Sequence, residues 1–197
     1  QIRYVIANYR NKRVDGDFYL ADNSVTIVCS DVYVGATEVI NGIEYTKRSS
    51  SQITLENAAT SCTSSIRDFS NLFYNEYQFN ENISHWDMSD ATTTYAMFWE
   101  ARAFNQDISQ WDVSNIENFG YMFGASSQNM TFNADISEWN TSSGTSMEGM
   151  LQLSSNFNHN IGKWDVSNVT NMNYMLYGAS SFNQNLSSWC VENISNE

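Results

Sequence analysis

The chain has 197 residues, a mass of 22.5 kDa and a formal net charge of −13, from 22 acidic and 9 basic side chains. Nucleic acids and anionic membranes select basic surfaces, so this charge excludes both as expected partners. There is no run of about 18 apolar residues, so we expect no membrane insertion. Polarity comes mainly from 25 Asn and 40 Ser and Thr residues, which predicts a folded domain with an amide-rich and hydroxyl-rich surface.

Residues 1–20 form the first predicted segment, an N-terminal arm. Four of the nine basic residues lie within positions 1–13, whereas residues 14–197 carry a net charge of −17. The first six residues are mostly β-branched or aromatic, as in a strand that adds to the edge of another sheet. We predict a self-assembly arm between subunits, built from Ile2, Arg3, Tyr4, Val5, Ile6, Arg10, Lys12 and Arg13.

Residues 21–61 are expected to form a small β-rich cap. The chain has three cysteines, and none of them shows the C-x-x-C spacing typical of zinc or redox sites. The simplest assignment is a Cys29–Cys62 disulfide with Cys190 unpaired. Such a disulfide would require an oxidising compartment.

Five copies of one motif follow the cap. They read FNENISHWDMS, FNQDISQWDVS, FNADISEWNTS, FNHNIGKWDVS and FNQNLSSWCVE, starting at Phe79, Phe104, Phe132, Phe157 and Phe182. Successive copies are 25, 28, 25 and 25 residues apart, and a loop insertion around residues 128–131 explains the longer interval. Residues 62–197 would therefore hold a half-repeat, four full repeats and a truncated fifth.

Each copy carries more apolar positions than a single unit of about 25 residues can bury. Stacked copies bury these side chains against one another, so the pattern predicts a repeat solenoid of the leucine-rich-repeat type. Alternating Ile and Trp in D-I-S-x-W predict a short strand, and Val169, Met172 and Met175 predict a short helical or 3₁₀ segment. The Asn after each Phe predicts a buried ladder of side-chain amides.

The pattern F-N-Q-D-I-S-x-W-D-V-S-N-V-T-N-M-x-x-M-F resembles the repeats of BspA-like leucine-rich-repeat surface proteins. The resemblance covers about residues 62–194, and residues 25–75 resemble the cap that often precedes such repeats, with Cys29 and Cys62 bracketing it. It implies an extracellular, non-enzymatic protein engaged in adhesion, aggregation or scaffolding. The third copy departs from the pattern with WNTSSGTSMEGML, and residues 1 to about 20 have no counterpart in the family.

The residue types that carry catalysis and metal binding do not indicate a site. His85 and His159 occupy positions that other copies fill with unrelated residues, which predicts solvated side chains without a nucleophile partner. Asp residues recur beside the Trp and Ile positions, but calcium needs several carboxylates on one ion, so turn capping is the favoured interpretation. We expect no enzyme activity, no cofactor and no metal.

Two sets of surface residues remain as candidate sites. N-x-S/T sequons mark candidate N-glycosylation sites at Asn82, Asn129, Asn140, Asn168, Asn185 and Asn193. About five sequons would arise by chance in this composition, but Asn129 lies in the insertion loop, where a glycan would be tolerated. Aromatic residues ten or thirteen positions after a Trp form a candidate contact stripe of Trp99, Tyr121, Tyr174 and Tyr177. The alternative is isolated, half-buried aromatics that cover the edge of the core.

Together these features predict an extracellular or cell-surface structural and adhesion protein that acts through protein–protein contacts. The expected partner is a second copy of the chain or another surface protein, with glycans as a further candidate. The apolar pattern stops near Ile194 without a polar capping repeat, which favours head-to-tail assembly into a ring or a filament. Two alternatives stay open, a carbohydrate-binding module that uses the aromatic stripe and a fragment of a longer surface adhesin.

Overall fold

The computed structural model describes residues 17–127 and 129–194. All eight residues of the predicted self-assembly arm, from Ile2 to Arg13, lie outside this range, so their role stays a prediction. Within the described ranges, strands and helices are confined to residues 19–62, and the repeats consist of turns, bends and isolated bridges.

Two small sheets and two 3₁₀ helices build the cap. The first sheet pairs β1 (Tyr19–Leu20) with β2 (Ile27–Val28) in antiparallel orientation. In the second sheet, β4 (Ile43–Lys47) lies between an antiparallel β3 (Thr37–Ile40) and a parallel β5 (Ser61–Cys62). The 3₁₀ helices, Ser50–Gln52 and Ala58–Thr60, lie between β4 and β5.

The cap has a small core of its own, closed by a disulfide. Cys29 and Cys62, the pair expected from the sequence, are bonded to each other. Three further buried side chains complete this core, Phe18, Ile27 and Tyr45. The β3–β4 hairpin turns at Asn41 and Gly42, whose φ angles of 52° and 83° lie in the left-handed region that Asn and Gly tolerate best.

Beyond the cap, the chain winds through successive coils joined by backbone hydrogen bonds. In the half-repeat, the N–H groups of Phe69, Asn71, Phe73 and Asn75 donate to the carbonyls of Thr93, Tyr95, Met97 and Trp99 in the first repeat. The same four-bond pattern joins each of the first three repeats to the next one. We call the donating stretches ladder segments, residues 69–75, 94–100, 119–125 and 147–153, with the equivalent residues 172–178 in the fourth repeat. Isolated parallel bridges stack beside them, at Asp68, Thr93, Asn118, Ser146 and Asn171.

The ladder segments are chains of tight turns, which corrects the prediction of a helical or 3₁₀ segment. The N–H groups between two ladder donors bond back within their own coil, as Leu72 does to the carbonyl of Phe69. The third residue of every ladder segment has a positive φ of 52–58°, at Asn71, Ala96, Tyr121, Gly149 and Tyr174. A left-handed residue interrupts a right-handed helix, so the apolar spacing that suggested a helix arises from repeated turns.

The D-I-S-x-W segments are also turns, in place of the predicted strands. In the second repeat, the N–H of Trp111 donates to the carbonyl of Ile108 at 3.2 Å. The side chain of Asp107 accepts the N–H of Ser109 at 3.0 Å. Ile and Trp both face inward because a turn joins them, whereas in a strand a spacing of three residues would place them on opposite faces.

Aromatic side chains stack along the interior of the coils. Adjacent Phe rings of the F-N motif lie 5.8–6.3 Å apart and within 15° of parallel, in the column Phe79, Phe104, Phe132, Phe157 and Phe182. Each repeat Trp also donates its indole N–H to a carbonyl of the preceding coil, as Trp111 does to Ile83 at 3.1 Å. One continuous core therefore extends from Ile53 to Met175.

In the third repeat, a glycine faces a large side chain of the preceding coil, and the core stays filled. Gly144 stands where other repeats have Ile116 or Val169, and a Cβ at Gly144 would lie 3.4 Å from the ring of Phe119 in the second repeat. Phe119 is fully buried, and the equivalent position holds Phe69, Thr94, Met147 or Met172 in the other coils. The glycine of the third repeat thus leaves room for the large side chain of the coil before it.

The predicted amide ladder is confirmed, but it lies on the surface and not in a buried corner. The N–H of Asn105 donates to the side-chain oxygen of Asn80 at 2.9 Å, and the pattern continues through Asn133, Asn158 and Asn183. Turn capping by the acidic residues is confirmed as well, since the carboxylate of Asp112 accepts the N–H of Ser114 at 3.1 Å.

Candidate functional site

A groove of about 580 Å³ draws its lining from the half-repeat and all four full repeats. We call it the tyrosine groove, and it is lined by Tyr74, Tyr95, Ala96, Trp99, Tyr121, Gln152, Tyr174 and Tyr177. The structure therefore places all four residues of the predicted contact stripe in one site. It adds two tyrosines, one alanine and one glutamine that the predicted stripe does not include.

The ladder segments explain why these side chains share a face. In the first repeat, Met97 and Phe98 are fully buried, while Tyr95 and Trp99 flank them on the outer side. Because the coils are hydrogen-bonded in register, outer side chains of successive repeats lie next to one another. The rings are well exposed at the fourth repeat, where Tyr174 and Tyr177 keep 63% and 62% of their accessible surface.

Glycines of the neighbouring coil let two of these rings lie close to the backbone. A Cβ on Gly124 would lie 2.8 Å from the indole of Trp99, and a Cβ on Gly149 would lie 2.3 Å from the ring of Tyr121. Real Cβ atoms do not approach neighbours this closely, so a larger residue at either position would have to displace the atoms beside it. The glycines therefore shape the groove by letting each ring rest on the next repeat.

Pairs of perpendicular aromatic rings line the groove. Tyr121 meets Tyr95 and Trp99 edge to face, with centroids 5.8 and 5.2 Å apart and interplanar angles of 85°. Tyr174 and Tyr177 form a similar pair at 6.0 Å and 87°. Edge-to-face packing is the arrangement that ring quadrupoles favour, so these rings are held in place before any ligand binds.

A carboxylate lies beside the aromatic rings. The hydroxyl of Tyr121 donates to Oε1 of Glu148 at 2.5 Å, and the amide of Asn171 donates to Oε2 at 2.9 Å. Burial and the neighbouring Glu148 carboxylate raise the pKa of Tyr121 to about 12. The hydroxyl thus stays protonated at neutral pH and holds Glu148 against the groove.

Three groove residues carry backbone strain, Ala96, Tyr121 and Tyr174. Tyr121 and Tyr174 adopt φ angles of 55° and 58°, a conformation that costs a residue with a Cβ about 1–2 kcal/mol. Asn71 and Gly149 fill the same position of the turn in other repeats, and both types tolerate this region better. The positive φ therefore belongs to the turn of every repeat, and in the second and fourth repeats this turn position carries a tyrosine of the groove.

The predicted contact stripe omits two tyrosines of the groove, Tyr74 and Tyr95, because it is defined by distance along the chain from the Trp of each repeat. The predicted stripe is defined by offsets of ten and thirteen residues from a Trp, but the half-repeat that contains Tyr74 has no Trp in its motif. Tyr95 lies nine residues after Trp86, one position before the first of these offsets. Tyr74 follows Leu72-Phe73 as Trp99 follows Met97-Phe98, so offsets from these apolar pairs place it on the outer face, and Tyr95 lies two residues before Met97.

The six sequons differ in how their side chains are engaged. Asn168 and Asn193 donate their amide nitrogens to backbone carbonyls of the preceding coil, at 2.8 and 2.6 Å. A glycan on either nitrogen would displace this hydrogen bond. The other four side chains are exposed, those of Asn82, Asn129, Asn140 and Asn185.

The prediction that both histidines are solvated is wrong for His85. Its side chain is only 7% exposed, with Nε2 3.0 Å from the carbonyl of Ser61 and the ring 5.0 Å from that of Tyr45. The cap covers this position in the first repeat, whereas later repeats expose it. His159 is partly exposed and lies 3.5 Å from the carboxylate of Asp135.

A buried ion pair anchors the insertion loop next to the groove. Glu100 is 3% exposed and accepts hydrogen bonds from Arg102 at 2.7 Å and from the N–H of Ser126 at 2.8 Å. Burial raises the pKa of Glu100, but the hydrogen bonds from Ser126 and Arg102 outweigh it and lower the pKa overall. The guanidinium of Arg102 also lies 4.6 Å above the ring of Tyr77.

Other candidate groups stand apart from the groove. Cys190 is exposed and unpaired within the described ranges. Across residues 17–127 and 129–194, no group of three or more His, Cys, Asp or Glu side chains is placed to hold a metal ion. The same part of the chain contains no helix with the length and apolar character needed to span a bilayer.

Comparison with known protein families identifies the family of this chain. The family model described as Mycoplasma protein of unknown function, DUF285, matches the chain twice, at residues 43–130 and 127–197. The chain belongs to this family. The two matches cover the repeats and the cap from β4 onward. No curated protein and no solved structure matches the chain significantly.

Proposed function

We propose that the protein is an extracellular structural and adhesion protein, a leucine-rich-repeat-like solenoid of the BspA-like kind, that binds a protein partner through the tyrosine groove. The observation that carries this proposal is the convergence of six aromatic side chains from four repeat units into one groove. Tyr and Trp are enriched at the centres of protein interfaces because they supply large, rigid contact areas at a low entropic cost.

The in-register ladder supports the scaffold part of the proposal. Hydrogen bonds between five consecutive repeat units and one shared core make a stack in which each coil contacts mainly its neighbours, which is the defining feature of a solenoid. The Cys29–Cys62 disulfide is compatible with a secreted or surface-exposed protein.

Binding to arrayed proteins tests the proposal. A labelled intact chain would be applied to an array of purified extracellular and cell-surface proteins, beside the Tyr174→Ser/Tyr177→Ser variant. We expect the variant to lose the protein signals that the wild type gives. The matched control is Tyr33→Ser, which removes a 79% exposed tyrosine of the cap and should leave these signals unchanged. Equal signals from wild type and groove variant would refute the proposal.

Carbohydrate binding is the second candidate function. Sugar rings stack on exposed aromatic faces, and the groove also holds the side-chain oxygen of Gln152, whose amide nitrogen donates to the carbonyl of Ala125 at 2.8 Å. A glycan array probed with the same three chains separates the two candidates. Glycan signals that the groove variant loses, without protein signals, would favour the carbohydrate-binding module.

A further inference from the structure

Resting on the proposed function, we infer that the tyrosine groove binds a cationic protein segment, and that this segment is residues 1–13 of a second copy of the chain. The groove would hold arginine and lysine side chains over its aromatic rings, with their charges facing Glu148. Cations positioned over Tyr and Trp rings are attracted by the ring quadrupole.

The charge of the repeats favours a cationic ligand. Residues 62–194 carry 14 acidic side chains and three basic ones, a net charge of −11. Two of the three basic side chains are already paired with carboxylates, Arg102 with Glu100 and Lys163 with Glu138. No basic side chain is among the described residues that line the groove. Aromatic rings in a field of this sign attract cations and disfavour anions.

The chain already contains one contact of the kind proposed. The guanidinium of Arg102 lies 4.6 Å above the ring of Tyr77 and is paired with Glu100 at 2.7 Å. The groove repeats this combination without a cation, because the ring of Tyr121 lies beside the carboxylate of Glu148. An arginine that reached the exposed rings of Tyr174 or Tyr177 would make the equivalent contact.

Residues 1–13 are the segment of this chain with the matching chemistry. They carry Arg3, Arg10, Lys12 and Arg13, no acidic residue, and two tyrosines. The described chain begins in the cap, where Tyr19 lines a second groove with Asp87, Asp90 and Asp112. This second groove and the tyrosine groove have no lining residue in common.

The experiment combines light scattering of the intact chain with a peptide titration. The chain would be measured across a concentration series at low salt, beside a full-length variant with Arg3, Arg10, Lys12 and Arg13 changed to Gln. We expect concentration-dependent oligomers for the wild type and monomers for the variant. A synthetic peptide of residues 1–13 should dissociate the oligomers, and it should bind at least tenfold more weakly to Tyr174→Ser/Tyr177→Ser than to wild type.

Variants inside and outside the groove show where the peptide binds. Glu148→Gln should weaken peptide binding several-fold, whereas Glu138→Gln, an exposed acid outside the groove, should not. Thermal melting of each variant shows that it remains folded. Peptide binding that is lost in Asp90→Asn/Asp112→Asn and kept in Tyr174→Ser/Tyr177→Ser would place the segment in the second groove and overturn the inference. A wild-type chain that stays monomeric at all concentrations would also overturn the inference.

The protein array tests the proposed function and the peptide titration tests the further inference, so the two can fail separately. If the groove variant loses signals from arrayed proteins while the peptide does not bind, the inference fails and the proposed function stands. If the peptide binds in the groove but no arrayed protein does, the groove serves self-assembly alone and the adhesion proposal fails. Glycan signals that the groove variant loses, without protein signals and without peptide binding, overturn both.

Discussion

At the residue scale, each repeat tryptophan has two separate contributions to stability. The indole of Trp111 is 3% exposed, so it fills core volume, and its N–H satisfies the carbonyl of Ile83 in the preceding coil. Trp164 makes the equivalent bond to Ile136 at 3.0 Å. A buried carbonyl left without a partner has its own desolvation cost, which adds to the cost of the cavity.

We therefore expect Trp111→Ala or Trp164→Ala to lower the free energy of unfolding by about 3–5 kcal/mol. Chemical denaturation monitored by circular dichroism measures this change. Glu138→Ala is the control, because its exposed pair with Lys163 contributes about 0–1 kcal/mol. A similar loss in the tryptophan variants and in the control would contradict the assigned core.

His85 makes the stability of the chain depend on pH. Burial lowers the pKa of His85 to about 4, against an upward contribution from the hydrogen bond to Ser61. The unfolded chain binds a proton near pH 6.5 and the folded chain only near pH 4, so stability is full above pH 6.5 and falls as the pH decreases through this window. The loss amounts to about 3 kcal/mol.

Denaturant unfolding at pH 7, 5.5 and 4 checks this prediction. His85→Gln should remove most of the pH dependence between pH 6.5 and 4, since Gln110 occupies the equivalent position of the next repeat. His159→Gln is the control and should keep the dependence, because His159 is partly exposed. Identical pH profiles for wild type and His85→Gln would show that another group is responsible.

At the element scale, the backbone of one ladder segment packs against an aromatic ring of the tyrosine groove. Gly149 has a φ of 56°, and its Cα faces the ring of Tyr121. We expect Gly149→Ala to lower stability by about 2–4 kcal/mol, because the new methyl adds a clash with Tyr121 to the cost of the left-handed backbone. Gly35→Ala, at φ 96° with open space around the Cβ, should lose only the backbone contribution.

A double-mutant cycle isolates the contact between the glycine and the ring. Tyr121→Ser should recover most of the additional loss in Gly149→Ala, because the smaller side chain leaves room for the methyl group. Additive effects of the two substitutions would mean that the clash is relieved in another way and that Gly149 does not hold the ring in place.

The ladder segments also show where sequence reasoning succeeded and where it did not. The inward positions, such as Met97, Phe98 and Trp111, were predictable because repetition at one spacing reveals which side chains must be buried. The local conformation was not, since Ala96, Tyr121 and Tyr174 give no sign of a positive φ. His85 was misjudged for a related reason: the repeat pattern describes equivalent coils, and the cap makes the first coil different.

At the scale of the whole molecule, adjacent coils fit one another specifically. Phe119 of the second repeat occupies the space above Gly144 of the third, so not every coil can follow every other. We expect removal of residues 157–181 to leave a folded protein of lower stability, because each coil contacts mainly its neighbours. Removal of residues 132–156 should be more damaging, because Phe119 would then face Val169.

Thermal melting followed by circular dichroism compares the two deletions, which remove the same number of residues. Restoring the fit with Phe119→Thr, the residue type found at Thr94, should recover part of the loss in the second deletion and not in the first. Equal melting temperatures for the two deletions would contradict a specific fit between neighbouring coils.

The four-bond ladder has a mechanical consequence. Its hydrogen bonds run from coil to coil, so a load applied along the stack acts on every interface in series, and the outermost coil, which is held from one side only, is expected to peel away before its neighbour yields. A released repeat of 25 residues lengthens from about 5 Å to about 80–90 Å. Stretched between two anchored bodies, the chain would extend in equal steps at nearly constant force, dissipating work that would otherwise break the attachment.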